Sequence, residues 1–507
     1  MTAAYRHDTD ALTVMDWFCG AGGSSQGVHA VPGVRVERAA NHWQLAIESH
    51  AANFPATSHY QGDIRKAPVW DWPVTDMFWA SPECTNWSVA KGKRRDFAGA
   101  MQGSLLDLLA GFDQDDDEPS AEEESRALME EVPLYLRGVQ ERGGLVKAGI
   151  VENVVDVRSW DEWDRWIGEI HKMGYRTRII ALNSMHANPR TLHRAPQSRD
   201  RLYVGYWHES LGRTPDWDKW LRPRAWCETC SEWVQAIQAW KRPGTDMGRY
   251  RQQYVYRCPR TACRNAVVEP EALPALAAID WSLPGQRIGD RAKPLAAKTL
   301  ARIQAGLTKF ATPLADGLAV PPLMIPVEGR DGKDAANANS PLRTMTTRNE
   351  TGLAWLPFIA ELRGGGSEAR SVAEALATVC ASGNHHGLVT PGQITEHMLI
   401  PYYGTGAARP VTQPVGALTT RDRYALVHGQ PAIEDVRFRM LEPHEIGRAM
   451  SFADDYVVLG NKRERVRQYG NAVTPNAAEV LVCALVEAIT GEQISRHETP
   501  IEYGAAA

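Results

Sequence analysis

The chain has 507 residues, 43% of them hydrophobic and 23% charged, with a formal net charge of −5. That length supports two or more domains and a sizeable core, and the negative charge by itself argues against nucleic acid as a partner. No run reads as long and apolar enough to span a membrane, and Met1 to Asp10 lacks the apolar centre of a secretory signal. The expectation is a soluble, cytoplasmic monomer in a reducing compartment, because the eight cysteines show no disulfide framework.

Leu12–Phe18 reads as a short buried strand, followed by Cys19-Gly20-Ala21-Gly22-Gly23-Ser24-Ser25-Gln26-Gly27 and then a helix. Glycines between a strand and a helix let backbone approach a ligand, and the helix start adds amide donors. A plain tight turn is the alternative. No Gly-Lys-Ser/Thr follows, so a phosphate-binding loop is disfavoured. Val34–Trp43 reads as a second strand, Gln44–Asn53 as a helix, and Tyr60–Arg65 as a third strand end carrying Asp63. Asp16 with Phe18, then Trp43, then Asp63 offer a flat ring and an acid at three strand ends, which suits an adenosine-like cofactor. Alternatively Trp43 is core and Asp63 caps a helix.

The apolar run Asp76–Ala80 leads into Ser81-Pro82-Glu83-Cys84-Thr85-Asn86-Trp87-Ser88. This puts the Cys84 thiol on a loop at the carboxyl end of a strand, where ligands bind in open α/β sheets; a small buried hydrophobe is the alternative. Asp113–Glu118 and Glu122–Glu124 read as one acidic, solvated insert. A helix over Arg126–Glu141 follows, with Pro133 marking a kink or a late start. Gly149–Val154 reads as a strand ending in Glu152 and Asn153. Glu152, desolvated beside a cleft, could act as a general acid toward a ring nitrogen; helix capping is the alternative. Gln197–Val204 sets Arg199 and Arg201 in alternation at the start of a strand, on one face, suited to a phosphate or a carbonyl oxygen. Alternating strands and helices predict an α/β fold with a doubly wound, mostly parallel sheet.

The middle region carries two cysteine knuckles, Cys227-x-x-Cys230 and Cys258-x4-Cys263. Four clustered thiols predict a tetrahedral structural zinc. Arginines and tyrosines around them suit phosphate contact, as they would a solvated face. Pro341–Arg348 matches Pro414–Arg421, with a degenerate third copy near Ala373–Val389. Each copy follows an apolar opening, at Leu323–Ile325, Phe358–Ala360 and Met398–Ile400, and such repetition marks a pseudo-symmetric β unit. Arg363–Ser367 is a glycine-rich tip. Thr474-Pro475-Asn476 opens an apolar helix, and Thr499–Ala507 is a frayed tail.

Six of these stretches, in order, resemble motifs of the DNA cytosine-5 methyltransferase family: Asp16–Gly23, Pro82-Glu83-Cys84, Glu152-Asn153-Val154, Gln197–Arg201, Arg439–Glu445 and Tyr469–Asn476. The resemblance implies the S-adenosyl-L-methionine-dependent methyltransferase fold, over 1–208 and 433–492. A β-rich target-recognition region fills 209–432, with a zinc ribbon at 222–268 and repeats at 320–428, and a tail follows from 493. It implies cofactor contacts at Asp16, Phe18, Gly20, Gly22, Gly23, His42, Trp43, Asp63, Ile64, Pro82, Asn471 and Val473. It also implies double-stranded DNA as partner and a flipped cytosine, with Cys84 adding to C6 and Glu152 holding N3. Arg199 and Arg201 would hold the carbonyl oxygen and phosphate, and Asn153 would order the loop. Three departures stand out. Glu83 and Thr85 replace the family's second Pro and Gln, His42 stands where the ribose-holding acid is expected, and Met185–Pro196 is longer than usual. An RNA cytosine methyltransferase and a catalytically silent DNA-binding protein are the alternatives.

Overall fold

The computed structural model describes residues 11–82, 121–280 and 433–496 continuously and 281–432 in segments. Several sequence readings therefore lie outside the described residues. They are the Cys84 loop from Glu83, the acidic run Asp113–Glu118, the glycine-rich Arg363–Ser367, the repeat copy Pro414–Arg421 and the tail from Thr499. The described residues form two compact units. One is drawn from Met1–Leu273, Arg343–Thr347 and Gly447–Ile501, the other from Pro274–Leu342 and Arg348–Ile446.

The first unit is built on a seven-stranded sheet: β1 (Leu12–Trp17), β2 (Val34–Asn41), β3 (Ser58–Gln61), β4 (Met77–Ala80), β5 (Ala148–Asn153), β6 (Tyr175–Asn183) and β7 (Asp200–His208). Their order is β3-β2-β1-β4-β5-β7-β6. The first five are mutually parallel, and β7 runs antiparallel to both β5 and β6. This is the class I S-adenosylmethionine methyltransferase fold. Because β7 is reversed, its first residues lie at the same edge as the last residues of β1 to β5.

Helices α1 (Gly23–His29), α2 (Gln44–Asn53), α3 (Ala121–Glu141) and α4 (Trp163–Lys172) connect these strands, with α5 (Trp217–Leu221), α6 (Lys462–Asn471) and α7 (Pro475–Thr490) following. Apolar strands buried on both faces match the rule for parallel sheets. On one face Val14, Trp79, Ile150 and Tyr203 pack with Val480, Leu481, Ala484 and Leu485 of α7. On the other, Trp17, Phe78 and Tyr206 pack with Val132, Leu136, Trp163 and Trp166.

Three sequence expectations change here. Glu122–Glu124 are not part of a loop insert but form the first turns of α3, which runs continuously through Pro133, so the late start does not occur. A proline removes one intrahelical donor, a cost that the packing of this helix offsets. Lys462–Thr490 does reach the length and apolarity of a membrane span, yet 94% of its apolar window is buried, because α7 is the core helix of the sheet. Arg199 precedes β7 rather than opening it.

In the second unit, Leu323–Pro326, Ala336–Asn337, Thr351–Trp355, Arg437–Met440 and Gln286–Arg287 form a five-stranded antiparallel sheet. Phe358–Glu361 pairs antiparallel with His386–Val389. The apolar openings of the first two repeat copies pair in the same register. Leu323 faces Ala354 and Phe358 faces Val389, 31 residues on in both (354 − 323 and 389 − 358). Arg439 and Glu445, from the fifth family-like stretch, form a two-pronged ion pair at 2.6 and 2.7 Å with Glu445 fully buried. Their place is structural.

Candidate functional site

The carboxyl edge of the sheet gathers most of the residues singled out in the sequence. At the end of β1, Phe18 takes φ +60 and Gly20 φ +54. A Cβ on Gly20 would meet nothing within 4 Å, so the turn faces open space, whereas one on Gly23 would lie 2.0 Å from the Val473 carbonyl oxygen. Glycine is needed at 23 because the Val473 backbone is seated on the turn. Gly22, at φ +97, is enclosed by Tyr456, Phe54 and His50.

Asp16 lies beneath, fully buried, accepting the Ser24 and Ser25 hydroxyls at 2.6 Å through Oδ2. Its Oδ1 has no partner among the described residues. Burial raises its pKa to about 6 against the opposing pull of the two hydroxyls. An open glycine turn above an incompletely satisfied acid suits a ligand with polar N–H groups.

Trp43 follows β2, half-exposed rather than core, with the Arg467 guanidinium 4.6 Å above its ring. Its neighbour His42 is exposed. Asp63 caps the short turn Ile64–Lys66, accepting the Arg65 amide at 3.0 Å and pairing with the Arg65 guanidinium at 2.7 Å. The capping alternative is therefore what Asp63 carries out in this structure. The Arg65 hydrogen bond, ahead of the opposing effect of burial, holds its pKa below the ordinary carboxylate range. Ile64 is buried beside it.

Glu152, at the end of β5, is 8% exposed and does not cap a helix. Its Oε1 lies 3.1 Å from Arg201 Nε, reached from the reversed strand β7. Desolvation raises the Glu152 pKa, and the charges of Arg201 and then Arg199 pull it back. Asn153 donates to the Pro82 carbonyl at 3.3 Å and accepts the Val154 amide at 2.8 Å. It thus fixes the chain two residues before Cys84, which itself lies outside the described residues.

Arg199 and Arg201 are not used alike. Arg199, 2% exposed, donates to the carbonyls of Met345, Gly470 and Ala472 at 3.0, 3.1 and 3.0 Å. Its forked guanidinium fits converging backbone acceptors, so it secures the Asn471–Val473 segment against the edge. Asn471 is exposed there and Val473 buried. Gln197 has the same kind of task, accepting the Met345 amide at 2.7 Å and donating to the Ala449 carbonyl at 3.1 Å. Buried Glu479 accepts the amides of Arg190, Thr191 and Leu192, which anchors the long Met185–Pro196 segment. Sequence reading missed Gln197 as a clamp, and Glu479 and Arg467 altogether; only Gln197, inside a family-like motif, carried any signal.

The four clustered cysteines converge in the same unit. Cys227 and Cys230 lie on the hairpin of β8 (Arg224–Cys227) and β9 (Glu232–Gln235). Cys258 and Cys263 follow β11 (Tyr254–Arg257), which pairs with β10 (Ile237–Trp240) and β12 (Val267–Val268). Their Sγ atoms lie within 4.8 Å of one another, compatible with tetrahedral Zn–S bonds of about 2.3 Å. The knuckles are locally alike. The residue after each second cysteine, Ser231 or Arg264, takes positive φ, and the Arg260 amide donates to Cys258 Sγ at 3.5 Å.

Comparison with known proteins adds the following. No curated protein matches the chain in sequence. Among solved structures, a DNMT2 variant from Spodoptera frugiperda is 13% identical, covering 94% of this chain and 100% of that one at a TM-score of 0.44. A putative prophage-encoded DNA modification methyltransferase from E. coli is 14% identical (95% and 100%, TM-score 0.41), and an Entamoeba histolytica methyltransferase 10% (95% and 99%, 0.42). The fold itself follows from the strand order β3-β2-β1-β4-β5-β7-β6. The family model described as C-5 cytosine-specific DNA methylase matches residues 12–110, so this chain is similar to that family over the stretch holding the glycine turn, Trp43, Asp63 and Cys84.

Proposed function

We propose that this protein methylates C5 of cytosine in double-stranded DNA, using S-adenosyl-L-methionine. The observation that carries the reading is the buried Glu152–Arg201 pair, at the strand edge that also holds the glycine turn and, through Asn153, the chain leading to Cys84. C5 cannot be reached productively inside a stacked duplex, so the target base enters flipped out. Glu152, favoured in its protonated form by burial, donates to cytosine N3 and lets the ring accept electrons. Arg201 holds the carbonyl oxygen. It also supplies the positive charge that favours the thiolate of Cys84, which adds to C6. S-Adenosylmethionine, held over Phe18, Gly20 and Trp43, supplies an electrophilic methyl group. Removal of the C5 proton then breaks the C6–Sγ bond and returns Cys84.

Cys227, Cys230, Cys258 and Cys263 hold one structural zinc, and residues 209–432 read the target. A surface able to read a groove is what selection within a duplex needs. Nucleoside mass spectrometry of duplex DNA incubated with protein and S-adenosylmethionine tests the reading. 5-Methyldeoxycytidine is expected, and none with Cys84→Ala. Product on RNA alone transfers the chemistry to RNA; product undiminished in Cys84→Ala rejects the mechanism.

A further inference from the structure

Asp200 lies between the two arginines of the site, yet it faces the cysteine module. Its carboxylate accepts the Tyr250 backbone amide at 3.0 Å and the Tyr254 hydroxyl at 3.4 Å. Tyr254 opens strand β11, and that strand runs directly into Cys258. On the other side of the Glu152–Arg201 pair, the turn leaving β5 is tied to the same module. Arg249 grips Asp156 at 2.7 and 3.0 Å, and Arg158 grips Asp246 through contacts of 2.9 to 3.1 Å. Gln238 of β10 donates to the Ala181 carbonyl of β6 at 3.0 Å. The contact is also apolar: Cys227, Cys258, Tyr254 and Tyr256 share one buried core with Val151, Leu202 and Val204. Both strands that carry the pair thus emerge against residues 246–254, between the two knuckles.

We propose that the tetrathiolate zinc site braces the Glu152–Arg201 pair, with Asp200 as the positioning residue between them. Thiolate–metal bonds fix β11, β11 with the Tyr250 turn fixes the Asp200 carboxylate, and Asp200 fixes the first residues of β7. Binding geometry at a reacting centre is sensitive to displacements of about 1 Å, so a brace at this place sets turnover rather than cofactor affinity. The proposal rests on the catalytic reading of Glu152 and Arg201. Its structural half does not, and can be tested without substrate.

The experiment combines zinc analysis with hydrogen exchange of the full chain. One zinc per chain is expected, with slow exchange at 200–203. Asp200→Ala should keep the zinc and speed exchange at 200–203 at least tenfold, with Leu12–Trp17 unchanged. It should also lower kcat at least tenfold, with S-adenosylmethionine affinity within twofold of the parent. Asp200→Asn, which retains an acceptor for the Tyr250 amide, should restore both readouts to within about threefold. Removing the metal with a chelator should loosen 200–203 before Leu12–Trp17. Absence of zinc overturns the proposal, as does an Asp200→Ala protein that holds zinc and exchanges like the parent. Should chelation unfold the whole chain, the Asp200→Ala comparison decides alone. A parent protein that braces as described but yields no 5-methylcytosine on DNA or RNA refutes the proposed function and leaves the brace standing.

Discussion

Arg201 and Glu152 face each other across the antiparallel junction of β7 and β5, Nε to Oε1, at 3.1 Å. Parallel neighbours would have placed a strand's first and last residues at opposite edges. The single reversed strand delivers a cation to a carboxylate whose pKa burial raises.

The pH dependence of turnover follows from that pair. In the proposed mechanism the protonated form of Glu152 is the hydrogen-bond donor, and burial raises its pKa against the lowering effect of Arg201 and Arg199. Activity should therefore fall as pH rises through that raised value. Arg201→Ala removes the larger lowering charge. It should shift the falling limb to higher pH and reduce kcat roughly 100-fold. A kcat–pH profile with the limb unmoved would detach Glu152 from the donor role.

Asp16 should make the protein less stable in alkali than its asparagine variant. Its folded pKa is raised to about 6, chiefly by burial. The stability it contributes is present below the ordinary carboxylate value and is lost as pH rises through 6. Asp16→Asn should melt higher than the parent at pH 8, by at most about 3 kcal/mol, and show no advantage at pH 4. Thermal melts at the two pH values check this; an equal difference at both rejects it.

Asn153→Ala removes the donor to the Pro82 carbonyl and the acceptor for the Val154 amide. Each buried group left unpaired costs about 1–3 kcal/mol. Turnover should drop about tenfold or more while S-adenosylmethionine affinity, measured by calorimetry, stays put. A parallel loss of affinity would mean that the whole edge had collapsed.

Two glycine substitutions should separate. Gly23→Ala drives a methyl to 2.0 Å from the Val473 carbonyl oxygen and must push the Val473 segment off the turn. Gly20→Ala meets open space and is charged only for positive φ, roughly 1–2 kcal/mol. Gly23→Ala should lose both melting temperature and cofactor binding, and Gly20→Ala chiefly a few degrees of melting temperature. Equal behaviour of the two would refute the seating of Val473.

Arg199→Lys tests the division of labour between the arginines. A lysine cannot span three carbonyls, so melting temperature should fall by several degrees. The salt dependence of DNA binding should be unchanged, because no phosphate contact is lost. A flatter salt dependence would return Arg199 to the phosphate.

Much of the first unit was legible because its signals are local. Apolar runs marked β1, β4 and β5, helical spacing marked α3, and Gln44–Asn53 was placed at its observed bounds. The placement of Phe18, Trp43 and Glu152 at strand ends was legible, and that is the edge where open α/β sheets bind ligands. Long-range contacts were not legible. Nothing in the alternation of Arg199 and Arg201 reveals that one guanidinium is consumed by carbonyls from residues 345, 470 and 472. Nothing near Tyr250 points to Asp200. Spacing likewise showed that Cys227 and Cys258 belong together, but not that they share a core with β7.

One face of the central sheet is roofed by α7, more than 250 residues beyond β7 in the chain, and Val473 closes over Gly23. A ribosome-bound chain that has completed all seven strands therefore still exposes Val14, Ile150 and Tyr203 to solvent. Pairing across such sequence separations is slow, and the unroofed sheet is an adhesive surface. Synthesis must pass residue 473 before the glycine turn has its floor, so fragments ending short of that residue emerge without the Val473 contact.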